Sequence, residues 1–267
     1  MSLQLEKLLE VMRQLRDPEH GCAWDREQTF ASIVPHTLEE AHEVADAIAS
    51  GSAQAIRDEL GDLLFQVVFL ARIAEERGEF RFDDVAGAIV EKLVRRHPHV
   101  FGERRALTSA AQTSAWEAMK ANERAEEGAR GVLDGVARSL PALTRAAKLG
   151  KRAARVGFDW PDVGGVRAKV DEEFAEFEAT LRDHEPMSRR EEEFGDLLFA
   201  LANWGRHLGI DAEAALRAAN GKFESRFAHM ERFAAAEGVS LDSLDLTAWE
   251  ALWQRAKKSL PKKPPIG

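Results

Sequence analysis

Five acidic positions occur twice in this chain, at identical spacing within each motif and with an offset of 16 residues between the motifs in one copy and 17 in the other. In the first half Glu39, Glu40 and Glu43 precede Glu59 and Asp62, within LEEAHEV and RDELGDLLF. In the second half Glu172, Glu173 and Glu176 precede Glu193 and Asp196, within DEEFAEF and EEEFGDLLF. Each copy reads E-E-x-x-E, then E-x-x-D, and runs into Leu-Leu-Phe. Residues three apart on a helix share a face, so Glu40 pairs with Glu43 and Glu59 with Asp62, as Glu173 does with Glu176 and Glu193 with Asp196. Carboxylates gathered in one place repel unless they are protonated or hold cations. All-oxygen ligands on rigid helices suit Mg²⁺, with Mn²⁺ as a substitute, because these cations keep some waters and take phosphate oxygens alongside. A lone E-E-x-x-E is more often a solvated helix face, and Thr37 with Glu40 also fits a capping box. Val170 stands three before Glu173. Capping therefore does not account for both copies, and the repetition favours a metal cluster.

The acids need elements to hold them. Leu60, Leu63, Leu64, Val67, Val68 and Ala71 follow helical spacing, as do Phe194, Leu197, Leu198, Leu201 and Ala202, so each second acidic motif opens an amphipathic helix. Ser50-Gly51-Ser52, and Asp183 to Ser188 with Pro186, turn one helix back on the next. In an antiparallel hairpin, residues equidistant from the turn lie level. Glu43 and Glu59 are each eight residues from Gly51, and Glu40 and Asp62 are each eleven. Glu176 with Glu193, and Glu173 with Asp196, share a midpoint between His184 and Glu185. The spacing predicts two four-carboxylate clusters: Glu40, Glu43, Glu59 and Asp62, and Glu173, Glu176, Glu193 and Asp196. Gly61 and Gly195 sit beside them inside helices, where glycine costs roughly 1 kcal/mol against alanine; close helix approach is the expected reason.

The repetition extends further. KLVRR (Lys92 to Arg96) matches KFESR (Lys222 to Arg226), Trp116 and Lys120 match Trp253 and Lys257, and GCAWD loosely echoes GFDW. The chain is expected to be all-α, a tandem repeat of two helical domains: 1–125, a polar, glycine-rich linker at 126–135, and 136–267. A single hairpin leaves an apolar stripe uncovered, which predicts oligomerisation. The basic end, KKSLPKKPPIG, is expected to fray.

Composition narrows the function. The 267 residues are 45% hydrophobic and 31% charged, with nine prolines, which excludes a disordered or fibrous chain. A formal net charge of −9 argues against general nucleic-acid binding. The single cysteine, Cys22, excludes an intrachain disulfide and fits a reducing compartment. The N-terminus lacks the apolar core of a secretory signal, and the most apolar run, Leu63 to Ala71, is too short to span a membrane and is interrupted by Gln66. A cytoplasmic protein without membrane association is expected. Neither a P-loop nor H-E-x-x-H is present. Glu39 and His42 make one half of a di-iron signature, but Ala175 replaces the histidine in the second copy and argues against iron. His97 and His99, around Pro98, fit a helix-terminal role.

Across essentially its whole length the chain resembles the MazG family of bacterial nucleoside triphosphate pyrophosphohydrolases, which have tandem all-α domains. The resemblance rests on GCAWDREQTF, HTLEEAHEV, ELGDLLFQVVF, RRHPHVFG, the Trp-Glu-x-x-Lys segment and KFESRF. Ala23, where proline is usual, and His42, where an aromatic is common, depart from the pattern without touching a carboxylate. The resemblance implies Mg²⁺-dependent hydrolysis of NTPs and dNTPs between the α- and β-phosphates, giving NMP and pyrophosphate. It also implies a homodimer whose helices complete each other's bundles, and a housekeeping role in removing aberrant or excess nucleotides.

Roles for named residues follow from that implication. Glu173, Glu176, Glu193 and Asp196 would hold metal, and Glu172 or Glu192 would orient or deprotonate the attacking water. Lys222 and Arg226, four apart on one face, would neutralise the leaving pyrophosphate, while Trp253 and Lys257 would close over the nucleotide. The two copies differ in positive charge. Lys169 stands where the first copy has His36, and Arg189 and Arg190 stand where it has Ala55 and Ile56. A triphosphate carries about four negative charges, and each charge-assisted hydrogen bond contributes on the order of 1.5–3 kcal/mol. The second copy is therefore expected to be the main catalytic unit. Two alternatives stand beside this reading: a dimeric helical interaction module with vestigial acid sites, and a narrow-specificity pyrophosphatase of the dUTP type.

Overall fold

The computed structural model of the chain describes residues 3–102, 108, 119 and 131–259. Every regular element among them is helical, as the periodicity predicts, and no strand occurs. None of these helices is long and apolar enough to cross a membrane. The chain divides into two compact units, Met1–Lys120 and Ala121–Gly267. Residues 126–130 of the expected linker, Trp116, Lys120 and the basic end beyond Ser259 lie outside the described residues.

The first unit contains α1 (Leu3–Leu15), α2 (Ala23–Glu27), α3 (Phe30–Ser50), α4 (Ala53–Glu76), α5 (Phe82–Arg96) and α6 (Pro98–Phe101). Its spine is the α3–α4 hairpin. Gly51 ends α3 with φ 73°, a left-handed conformation that glycine adopts without steric cost, and the Ser52 hydroxyl caps α4 by accepting from Ala55 N. The start of α3 differs from the expected capping box at Thr37 and Glu40. The helix begins eight residues earlier, where Thr29 and Ser32 cap each other reciprocally, and it runs on through Pro35. Thr37 lies inside it, donating its hydroxyl proton to Ile33 O at 3.1 Å. Met12, Ile33, Val68, Phe69 and Ile73 form the core, with Leu8, Phe30, Phe65 and Phe82 packed around them. Arg16, 8% exposed, closes one side of this core. It donates to Glu76 at 2.7–3.1 Å and to the Asp25 and Gln28 carbonyls.

The second unit contains α7 (Ala142–Ala154), α8 (Val163–Arg182), α9 (Met187–His207), α10 (Ala212–Ala236), a 3₁₀ turn (Leu241–Ser243) and α11 (Leu246–Ser259). Here the spine is the α8–α9 hairpin. Asp162 caps α8, accepting from Gly165 N at 2.8 Å, and Pro186 precedes α9. His184 makes the turn between them with φ 52°. Val170, Leu197 and Ala200 form the hairpin's core with Trp204, and Met230, Ala234, Leu252 and Ala256 form a second core between α10 and α11.

The glycine expectation is overturned. A Cβ built at Gly61 or Gly195 meets nothing within 4 Å, so among the described residues no helix approaches closely there. The close approach is at Gly150 on α7, where a Cβ would lie 1.8 Å from Oδ1 of the fully buried Asn203 on α9.

Candidate functional site

On α8, Val166, Val170 and Glu173 are buried at helical spacing; on α9, Glu193, Leu197 and Ala200 are buried in the same way. Each glutamate therefore continues an apolar seam toward the turn, at the level where the two helices face each other. There Glu173, Glu193 and Asp196 each bring one carboxylate oxygen within 4.8 Å of the others. Glu173 and Glu193 are only 6% and 4% exposed, and Asp196 is open to solvent. Oxygens bound at about 2.1 Å from a shared Mg²⁺ stand about 3.0 Å apart when adjacent on the octahedron and about 4.2 Å when opposite, so the trio would draw together by side-chain rotation to share one ion. The donor set, three hard oxygens with one side open to solvent, fits Mg²⁺ or Mn²⁺. Glu176 is exposed and lies outside this trio, although its charge reaches the Arg189 guanidinium.

Two cations hold the buried glutamates. Lys169 Nζ is 2.7 Å from Glu173 Oε1 and 2.8 Å from Glu172 Oε1. Arg189 donates to Glu192 Oε2 at 2.7 Å and to Glu193 Oε1. Hydrogen bonds to Glu172 and then Glu173 raise the Lys169 ammonium pKa well above the usual lysine range, and Glu192 and Glu193 act likewise on Arg189. Glu172 and Glu192 are exposed, and in this state their carboxylates face these cations. Arg190 is half-buried and its Nε has no hydrogen-bond partner.

The first unit gathers Glu40, Glu43 and Glu59 within the same 4.8 Å. Asp62 lies outside the trio, yet its charge acts on both Glu40 and Glu59. Desolvation, followed by repulsion from neighbouring carboxylates, lifts the Glu40 and Glu59 pKa values above the usual range. No lysine or arginine among the described residues forms an ion pair with these four acids. His36, at the position of Lys169, instead has Nδ1 3.9 Å from Glu39 Oε2 and its ring edge-on to Trp24. A residue the spacing does not single out, Gln66, is 5% exposed and aims its amide at Glu40, with Nε2 3.5 Å from Oε1, while its own Oε1 is unpartnered. In the sequence it reads only as a polar break in an apolar run; its helical offset of seven from Glu59 was the available signal.

The remaining predicted residues lie on α10 and α11. Arg226 and Lys257 both stand over the Trp253 ring, at 5.4 and 5.6 Å from its centroid, and Phe223 packs against it at 5.6 Å. Lys222 is exposed one turn before Arg226, whose Nε is buried without a hydrogen-bond partner. Among the described residues no ion pair or hydrogen bond joins this stack to the acid cluster. The Asp159 carboxylate binds Arg206 and His207 at 2.6–3.0 Å, tying the segment before α8 to the end of α9.

Comparison with known proteins agrees with this composition of residues. The sequence model of the MazG nucleotide pyrophosphohydrolase domain matches residues 28–101. A nucleoside triphosphate pyrophosphohydrolase of Escherichia coli strain K12 is 51% identical over 256 residues, covering 96% of this chain and 97% of that protein. The nucleoside triphosphate pyrophosphohydrolase/pyrophosphatase MazG of Thermotoga maritima is 41% identical over 252 residues, 94% of this chain and 95% of that protein. A nucleoside triphosphate pyrophosphohydrolase of Mycobacterium tuberculosis is 41% identical over 155 residues, 57% of this chain and 46% of that protein.

Proposed function

The chain belongs to the MazG nucleotide pyrophosphohydrolase family, and we propose that it hydrolyses nucleoside triphosphates, NTPs and dNTPs alike, to NMP and pyrophosphate. The observation that carries this reading is the pair of buried glutamates, Glu173 and Glu193, with Asp196 beside them, their oxygens within 4.8 Å on facing helices. Burial that apolar residues would fill at lower cost is spent here on carboxylates, which favours a charged ligand of opposite sign. Bound there, Mg²⁺ supplies positive charge to phosphate oxygens and lowers the pKa of a coordinated water.

The chain's own residues supply the rest. Glu173, Glu193 and Asp196 hold the ion, with Glu176 one turn further along α8 completing the set. Glu172 or Glu192 orients the attacking water and takes its proton. That water attacks the α-phosphorus, the α–β bridging P–O bond breaks, and pyrophosphate leaves with the bridging oxygen. Lys169, Arg189 and Arg190 line the positive side of the second cluster, and Lys222 and Arg226 neutralise the leaving group. Trp253 and Lys257 close over the nucleotide.

The two hairpins are read as copies of one unit, of which the second is the main catalytic one; Glu40, Glu43, Glu59 and Asp62 form its weaker or structural counterpart. Leu60, Leu64 and Val67 on α4, and Phe194, Leu198 and Leu201 on α9, are exposed beside the acids. A second copy of the chain covering such faces would complete each bundle, which supports a homodimer.

Product analysis by ³¹P NMR tests the reaction: mixed NTPs with Mg²⁺ should give NMP and pyrophosphate, and chelation should stop it. Release of NDP and orthophosphate would contradict the proposal.

A further inference from the structure

The two acid clusters differ most in what neutralises them. In the second, each buried glutamate already has a cation one helical turn away: Lys169 Nζ sits 2.7 Å from Glu173, and Arg189 spans Glu192 and Glu193. Both glutamates also belong to the trio whose carboxylates would face a metal ion. A divalent cation and the two side-chain cations therefore compete for the charge of the same two buried carboxylates. In the first cluster the equivalent positions are His36, turned to Glu39 and Trp24, and Ala55. Nothing with permanent positive charge among the described residues occupies its oxygens.

We propose, on the basis of the function above, that Lys169 and Arg189 are resident counter-ions of the second cluster, which a divalent cation displaces and a triphosphate then receives. Metal and nucleotide accordingly bind the second cluster together, whereas the first takes a bare cation. The geometry favours such an exchange. Lys169 and Arg189 side chains are 33% and 49% exposed, so their charged ends swing away from the glutamates without crossing a packed core. Once metal neutralises Glu173 and Glu193, the ammonium and guanidinium lose their partners, and a polyanion beside them restores pairing. An apo site without counter-ions would bury two like charges with nothing to balance them. The arrangement also makes the second cluster discriminate against metal alone: a cation arriving without phosphates must break two ion pairs and leave both partners unpaired.

Mn²⁺ binding to the full chain, measured by isothermal titration calorimetry with and without α,β-methylene ATP, tests this. Glu59→Gln protein reports the second cluster and Asp196→Asn protein the first. The expected result is that the analogue tightens Mn²⁺ binding to Glu59→Gln protein by about 5–150-fold, the usual span of a coupling between two ligands, and leaves Asp196→Asn protein unchanged. Adding Lys169→Gln and Arg189→Gln to Glu59→Gln should tighten Mn²⁺ binding without the analogue and shrink the coupling. Mn²⁺ affinity that does not rise when both cations are removed would overturn the proposal. If that combined variant does not fold, equal coupling in the two single-cluster proteins overturns it by itself. Failure of Mn²⁺ to bind Glu59→Gln protein under either condition would remove the proposed function underneath.

Discussion

Lys169 and Glu173 form an ion pair at 2.7 Å one turn apart on α8, with the glutamate 6% exposed and the lysine one-third exposed. The pair gives the buried carboxylate a partner without committing it, because one end of the bridge is anchored in the hairpin seam and the other reaches water. Removing the lysine alone leaves a buried charge uncompensated, a change that typically costs about 3–5 kcal/mol. Lys169→Met should therefore lower the melting temperature in the presence of a chelator, and saturating Mg²⁺ should recover much of the loss. A variant whose melting temperature drops equally with and without Mg²⁺ would show that the ion does not substitute for the lysine.

An acid-sensitive element of the second unit lies at Asp159. Hydrogen bonds from Arg206 foremost, with His207 and the Trp160 amide contributing, hold its carboxyl well below the usual carboxylate range. A depressed folded-state pKa stabilises the native chain above the unfolded value of about 3.9, and that contribution is lost as pH falls through the folded value. Asp159→Asn should reduce stability at neutral pH by about 1.5–3 kcal/mol, the range for hydrogen bonds to charged groups, and flatten the decline below pH 4. Denaturant unfolding measured between pH 2 and 7 checks both; a decline below pH 4 identical to that of the wild type would contradict the assignment.

Gly150 and Asn203 supply a packing test. A Cβ at residue 150 would overlap the Asn203 amide, which is fully buried and donates Nδ2 to Phe199 O at 3.0 Å. Gly150→Ala should destabilise the second unit by about 1–3 kcal/mol, as overpacking does. The Gly150→Ala, Asn203→Ala double variant should cost less than the sum of the two single changes, because the truncated side chain vacates the space. Additive losses would refute the contact.

Divalent cations should stabilise the first cluster too. Burial and mutual repulsion raise the Glu40 and Glu59 pKa values, so the charged cluster opposes folding near neutral pH until a cation joins it. The sign follows from the raised values: this region is most stable below the unfolded glutamate pKa of about 4.3 and loses that stability as pH rises through the folded one. Without divalent ions, Glu59→Gln should leave neutral-pH stability unchanged or higher. With Mg²⁺, the wild type should gain more in melting temperature than the variant, and an equal gain would count against the cluster as a cation site.

Much of the hairpin architecture is legible in the residues. Gly51 ends a helix because only glycine adopts a left-handed φ without cost, and Pro186 opens the next because it lacks the amide proton that a helix interior needs. Counting outward from those turns brings Glu43 beside Glu59 and Glu173 beside Asp196. The cap at Thr37 misleads because a threonine three before a glutamate occurs inside helices as readily as at their starts, and Thr29 does the capping. Gly61 and Gly195 are equally ambiguous. A glycine's cost is visible in sequence, whereas the neighbour that requires it, as Asn203 requires Gly150, appears only once helices pack. Gln66 escapes for the same reason, since the level of a side chain on its own helix does not reveal what faces it. Lys169 and Arg189 carry the opposite lesson: their spacing of four from Glu173 and Glu193 already encodes the ion pairs, while the charge difference between the two copies points outward to substrate.

On the proposed function the second acid cluster carries the hydrolysis. Initial rates of pyrophosphate release from NTPs with Mg²⁺, for Glu59→Ala and Glu193→Ala proteins matched for folding by circular dichroism, test it most directly. Loss of most activity in Glu193→Ala with substantial activity kept in Glu59→Ala is the expected result. Abolished hydrolysis in Glu59→Ala alongside near-normal rates in Glu193→Ala would contradict it.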